Sequence, residues 1–139
     1  MREFVSIVVI LGLYLCAMNL NLGIMENKTT DRHFSNFFIA GFTYWEGCMA
    51  ISELKIGTSL RLVRESENRF DPNAVAIYLD DYKLGFVPRD ENELIAKFLD
   101  LGYSEIFDLR VQRIALDAHP EKQVGVVLFI NEAKEVINK

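Results

Sequence analysis

Cysteine, histidine and proline are scarce in this chain, whose 139 residues hold two cysteines, two histidines and three prolines. Cys16 falls in an apolar run and Cys48 near the end of an expected strand, so the pair has neither C-x-x-C spacing nor the look of a disulfide framework. That usage is compatible with a reducing compartment. His33 in a polar stretch and His119 beside Pro120 belong to no zinc-binding or catalytic spacing, and each reads as a solvated loop residue. There is no G-x-S-x-G, no base set near Cys48, no glycine-rich phosphate loop and no ATP-binding motif. The acidic residues Asp80, Asp81, Asp90, Glu91 and Glu93 fall at a turn and at a helix start rather than in a metal cage. An enzyme, a metal site and a bound cofactor are therefore all unexpected, and the chain reads as a binding protein. An excess of positive charge is missing too: fifteen basic residues against twenty acidic ones leave a net charge of -5. The broad field of a non-specific nucleic-acid coat is excluded, so a nucleic-acid site has to be local.

Charge is absent altogether from residues 4–25, an apolar run about as long as a bilayer-spanning helix needs. A secretory signal is disfavoured because Glu3 offsets Arg2 and no A-x-A-like exit follows. A lipoprotein reading through Cys16 meets bulky Leu15 where a small residue is expected. Two readings remain level. One is a membrane anchor through residues 4–24, with Lys28 and Arg32 keeping the domain that follows in the cytoplasm. The other is upstream sequence ahead of a start at Met25, which leaves a cytoplasmic protein with an ordinary polar lead-in. The expected organisation is an apolar N-terminal helix in 1–25, a polar linker in 26–36, a domain in 37–131 and a polar tail in 132–139.

Half the residues are hydrophobic, enough for one domain to bury a core without staples. The run FFIAGF is long enough for a strand and too short for a helix, and CMAISELKIG suits a short helical turn ending at Gly57. SLRLVRE alternates as a half-buried strand does. AVAIYL and YKLGFVP flank Asp80 and Asp81 as a hairpin that Pro88 terminates. Leu94, Ile95, Phe98, Leu99 and Leu101 then lie at helical spacing, predicting a helix over 90–101 that packs through Leu94, Phe98 and Leu101. Asp90 with Glu93 resembles a reciprocal cap, and Gly102 sits where the helix stops. IFDLRVQRIAL alternates again, and QVGVVLFI is the continuous apolar run of a central strand. Several short antiparallel strands with one capping α-helix make a mainly β protein, a small and partly open barrel.

The chemistry that stands out is aromatic. Tyr44 and Trp45 end a strand, while Phe70, Phe86 and Arg89 sit at other strand ends and turns. Aromatic faces stack on unpaired bases and a guanidinium neutralises phosphate, although Trp45 and Phe86 also suit a core. The turn N-R-F-D-P-N-A is more telling. Asn68 and Asp71 bond neighbouring backbone and Pro72 fixes a dihedral, which explains everything in the turn except Phe70 at its tip.

Taken in order, AGFTYWEG, LRLVRESENRFDPNAVAIY and KLGFVPRDENELIAKFLDLG resemble a HIRAN domain of the kind that occurs alone in bacteria or at the front of Snf-type DNA translocases. The resemblance covers residues 38–102, with weaker support to 130. It implies an OB-like antiparallel barrel that binds single-stranded DNA and captures the free 3′ hydroxyl end. It also implies a DNA translocase or repair protein as a partner. By position, Tyr44 and Trp45 match the aromatic pair that holds the terminal nucleotide, and Asn68, Phe70 and Asp71 match the turn. Asp71 becomes the implied acceptor for the hydroxyl, Phe70 a stacking ring and Arg89 a phosphate contact. Thr43 stands where DNA-binding eukaryotic members carry arginine, and Phe86 where theirs carry a polar residue. Two functions follow: a module that caps 3′ ends of single-stranded DNA, or a membrane-tethered or protein-binding module using the same groove. Mass spectrometry of the native amino terminus separates them. A start at Met25 leaves the domain free to reach DNA, whereas a retained apolar segment holds it at a bilayer.

Overall fold

The computed structural model describes residues 32–131. The expected apolar N-terminal helix, most of the linker and the polar tail lie outside those residues. Six strands form one antiparallel sheet in the order β1-β6-β5-β2-β3-β4. They are β1 (Arg32–Phe38), β2 (Ser59–Arg64), β3 (Val75–Leu79), β4 (Tyr82–Phe86), β5 (Phe107–Ile114) and β6 (Val124–Ile130). Two short α-helices interrupt them: α1 (Gly47–Ala50) and α2 (Asn92–Asp100). β6 lies between β1 and β5 and is buried from Val124 to Leu128, which is why its run is apolar without alternation. β5, polar on one face, alternates through Leu109 and Val111.

The first strand begins at Arg32, earlier than the apolar run suggests. His33, Ser35 and Asn36, read as linker, pair with Phe129, Leu128 and Val127. Their side chains are polar or exposed because an edge strand needs ladder partners on one side only, so composition conceals them.

The expected barrel does not close. Its two edge strands meet at a single bridge between Ala40 and Phe86, with N–H to O distances of 2.9 Å in both directions. Gly85 makes that approach feasible. Its φ is 149°, and a Cβ there would lie 2.3 Å from the Ala40 carbonyl oxygen and 2.8 Å from Ile39 Cγ2. A bulge at Leu84 accompanies it, the register passing from Tyr78 opposite Lys83 to Ile77 opposite Gly85. The next edge position is covered by Glu46, whose Oε2 accepts from Lys83 N (2.8 Å) and whose own N–H donates to Lys83 O (2.9 Å). The core inside the curved sheet gathers Ile39, Phe42, Ile77, Leu84, Ile95, Leu109 and Leu128.

α2 packs on β2 and β3 through Ile95, Ala96 and Leu99, while Leu94 and Leu101 are exposed, contrary to the face expected. The reason lies in Asn92, the buried polar residue of the described chain, whose amide donates to Asp71 Oδ2 at 2.8 Å. Burying Asn92 selects the stripe 92, 95, 96 and 99, rolling Leu94 outward. The expected cap of Asp90 with Glu93 is absent: the N-cap is Glu91 and makes no side-chain bond to the helix. The C-terminal stop is as expected. Gly102 at φ 87° donates to Leu99 O and Tyr103 to Phe98 O, a Schellman turn sealed by the Phe98–Tyr103 ring contact at 6.4 Å.

Gly85→Ala is expected to destabilise the domain by at least about 1–3 kcal/mol, because the residue is strained and its neighbour is backbone that cannot move aside. Gly57→Ala, at φ 89° with open space around it, is the control, with strain of about 1–2 kcal/mol alone. Urea midpoints at constant m-value measure both.

Candidate functional site

The turn between β2 and β3 is built from its own side chains. Asn68 Oδ1 accepts from the N–H of Phe70 (2.9 Å) and of Asp71 (3.1 Å), and Asp71 Oδ1 accepts from Asn73 N (2.9 Å). Arg64, at the end of β2, donates to the carbonyls of Pro72 (2.7 Å) and Ala74 (3.0 Å) and pairs with Asp100 at the end of α2 (3.0 Å). The loop is thereby tied at its foot, its middle and its far side, and Phe70 projects from its tip with 84% of its surface exposed. What sets this ring apart from the other exposed apolar side chains is that its turn is fixed by hydrogen bonds and that it lines a cleft with other aromatics.

Facing that turn is the wall made after β1. Gly41, at φ 72°, a conformation that favours glycine, reverses the chain into a 3-10 turn, Phe42–Tyr44, and brings the indole of Trp45 alongside. A Cβ at position 41 would sit 3.4 Å from the indole nitrogen. Trp45 meets Phe86 edge-on at 5.6 Å between ring centroids. The result is a cleft of about 360 Å³ lined by Ala40, Gly41, Trp45, Glu65, Asn68 and Phe70 together with Asp71, Ala74, Phe86, Val87 and Arg89. Trp45, Asn68, Phe70, Asp71, Phe86 and Arg89, all singled out in the sequence, thus share one cleft. Tyr44 does not line it and stands 85% exposed outside.

The cleft carries opposed charge at its mouth. Arg89 Nη2 donates to Phe70 O at 3.1 Å and its Nε lies 4.0 Å from Asp71 Oδ2. The Arg89 side chain is 74% exposed against 18% for Asp71, so the cation sits at the rim and the carboxylate deeper. An arrangement of this kind presents stacking surfaces, one carboxylate acceptor and one cation within a single depression.

A HIRAN domain family model matches residues 33–130. The chain belongs to the HIRAN domain family. HIRAN domains are nucleic-acid-binding domains. The fold is shared with the crystal structure of a structural-genomics target protein from Lactobacillus plantarum, at 24% identity and a TM-score of 0.62 over 73% of this chain and 96% of that one. No curated protein matches this chain.

Three residues around the HIRAN cleft escaped the sequence reading. Asn92, read as part of an amphipathic helix, holds Asp71 from below. Glu65 belongs to the R-E-x-x-N-x-F-D-P-N-A-V pattern but had no assigned role, and it lines the cleft. Lys83 lies behind the aromatic wall, its Nζ 2.8 Å from Glu65 Oε2. The bulge at Leu84 is what hid Lys83, since strict alternation puts residues 83 and 86 on opposite faces and one extra residue returns them to the same face. Among the described residues no group of three metal-ligating side chains gathers, and no helix is long and apolar enough to cross a membrane.

Asn68→Ala is expected to cost about 1–3 kcal/mol of stability, since two N–H groups lose their acceptor at once. Hydrogen exchange of the Phe70 and Asp71 amides should rise with it, while amides of β6 stay protected to the global limit.

Proposed function

We propose that this HIRAN domain is a non-catalytic module that binds single-stranded DNA at free 3′-hydroxyl ends, with the terminal nucleotide in the cleft between the Trp45–Phe86 wall and the Phe70 turn. The observation that carries the reading is the pairing of an exposed ring, Phe70, with a recessed carboxylate, Asp71, on one rigid turn. Base stacking on aromatic rings contributes about 1–3 kcal/mol per base and tolerates any sequence. Tyr44 lies outside the cleft, so the cleft's lining supports Trp45 but not Tyr44 in the expected hold on the terminal nucleotide.

Asp71 accepts one hydrogen bond on each oxygen, from Asn73 and from Asn92. A carboxylate has about four acceptor positions, so a hydroxyl entering the cleft still finds one. A charge-assisted bond of that kind contributes about 1.5–3 kcal/mol, whereas a 3′ phosphate meets Asp71 as a like charge. Arg89 donates from Nη2 to the Phe70 carbonyl and has its Nε toward Asp71, yet its side chain stays 74% exposed at the rim, where a backbone phosphate passes. With one rim cation and a net charge of -5, affinity is modest and its salt dependence shallow.

A second reading, a protein-binding or membrane-tethered module using the same groove, is favoured by the apolar lining of Ala74, Phe86 and Val87. Fluorescence anisotropy of the full chain with two oligonucleotides, identical except for a 3′ hydroxyl or a 3′ phosphate, decides between them. The hydroxyl-ended strand is expected to bind about tenfold or more tightly, the factor that one charge-assisted bond supplies. Asp71→Ala should remove the discrimination and Phe70→Ala should weaken both strands. Equal affinity for both ends, or full discrimination by Asp71→Ala, would mean that the cleft takes a different ligand.

A further inference from the structure

Trp45, Phe86 and Glu65 form the kind of seat that takes a cation: two aromatic rings at 5.6 Å and 70° with a carboxylate beside them. In this chain the seat is filled from within. Lys83 Nζ lies 3.9 Å from the Trp45 ring centroid, 4.4 Å from that of Phe86 and 2.8 Å from Glu65 Oε2, with only 14% of its side chain exposed. Its backbone cannot swing away, because Glu46 bonds both its N–H and its carbonyl. Lys83 is therefore held on both its main chain and its ammonium, although it does not itself line the cleft.

We propose that Lys83 is a specificity-determining residue of the cleft. Its ammonium occupies the cation seat and neutralises Glu65, which leaves the cleft to a neutral stacked group on a phosphate backbone and denies it to a cationic one such as a lysine or alkylammonium side chain. Two consequences follow from the charges. Without Lys83, Trp45 and Phe86 lose the cation that links their faces, and Glu65 stands uncompensated in the path of an incoming phosphate. The seat also becomes a vacancy that a small ammonium fits.

The part of this inference that concerns DNA rests on the end-binding reading above; the part that concerns the cation seat does not. Trp45 is the chain's one tryptophan, so its emission reports on the cleft without interference. The full chain and its Lys83→Ala and Lys83→Arg variants are titrated with propylammonium chloride against sodium chloride of equal ionic strength. Lys83→Ala is expected to show a saturable change in Trp45 emission, and wild type and Lys83→Arg none. Lys83→Ser carries the same arm should Lys83→Ala fail to melt cooperatively, and its response is expected to match. In parallel, Lys83→Ala should bind a 3′-hydroxyl oligonucleotide about three- to tenfold more weakly, the size of one uncompensated carboxylate near a phosphate in a high-dielectric cleft. Propylammonium should restore that loss and Lys83→Arg should avoid it. A saturable response in wild type, or none in either small-residue variant, overturns the assignment of the seat. If the seat fills as expected while no form of the protein binds the oligonucleotide, the end-binding reading has failed and the role of Lys83 in excluding cations stands.

Discussion

The contact on which the site depends is the bridge between Ala40 and Phe86. A six-stranded sheet in this order has two edges, and among the described residues the chain just past β1 is bridged to β4 here. The touch requires that β4 present no side chain at position 85, because the Ala40 carbonyl occupies the space where a Cβ would be. Once the edges meet, the chain leaving β1 must turn at Gly41, and that turn delivers Trp45 onto Phe86. Without the bridge the sheet still has its ladders, but the aromatic wall has nothing to stand against.

Opposite that wall the turn from Glu65 to Asn73 is stabilised in a different way, by polar groups that satisfy backbone donors and acceptors locally. Such a turn keeps its shape without burying apolar area, which is why it can offer Phe70 to solvent. It is nonetheless coupled to the rest of the fold. Arg64 ties it to the end of α2, Asn92 ties Asp71 to the start of α2, Arg89 bonds the Phe70 carbonyl, and Glu65 reaches across to Lys83 on β4. Two of these links hold the cleft's carboxylates from behind, Asn92 on Asp71 and Lys83 on Glu65, so the same side chains serve the polarity of the site and the anchoring of the fold. Charge within the site is nearly balanced: the carboxylates of Asp71 and Glu65 are set against Arg89 at the rim and Lys83 behind the wall. A negatively charged domain can approach a phosphate backbone only if balance of this kind is kept locally.

The strands and the helix were legible because each carries its own period. β5 alternates, β6 is uniformly apolar between two neighbours, and α2 ends in a glycine at the left-handed position its stop requires. What went unread were features whose cause is a residue distant in sequence. β1 extends back to Arg32 because β6 supplies ladder partners, a fact that no property of R-H-F-S-N expresses. The roll of α2, with Leu94 and Leu101 outward, follows from Asn92 being fixed under Asp71. A partly open barrel was expected, but not that its seam is one bridge between Ala40 and Phe86, residues 46 apart in the chain.

For the site, the sequence by itself determined the chemistry that a turn can encode locally: Asn68, Asp71 and Pro72 prescribe a fixed loop, and a phenyl ring at its tip needs a further explanation. It also determined the family, since the spacing between that turn and G-F-V-P-R is a property of the chain alone. Tertiary structure decided which aromatics share the cleft, admitting Trp45 and Phe86 and leaving Tyr44 outside. It also decided that Lys83 lies beneath them. The physical reason is that a local hydrogen bond is made by neighbours in the chain, whereas the facing of two side chains depends on strand register, and a single bulge at Leu84 is enough to reverse it.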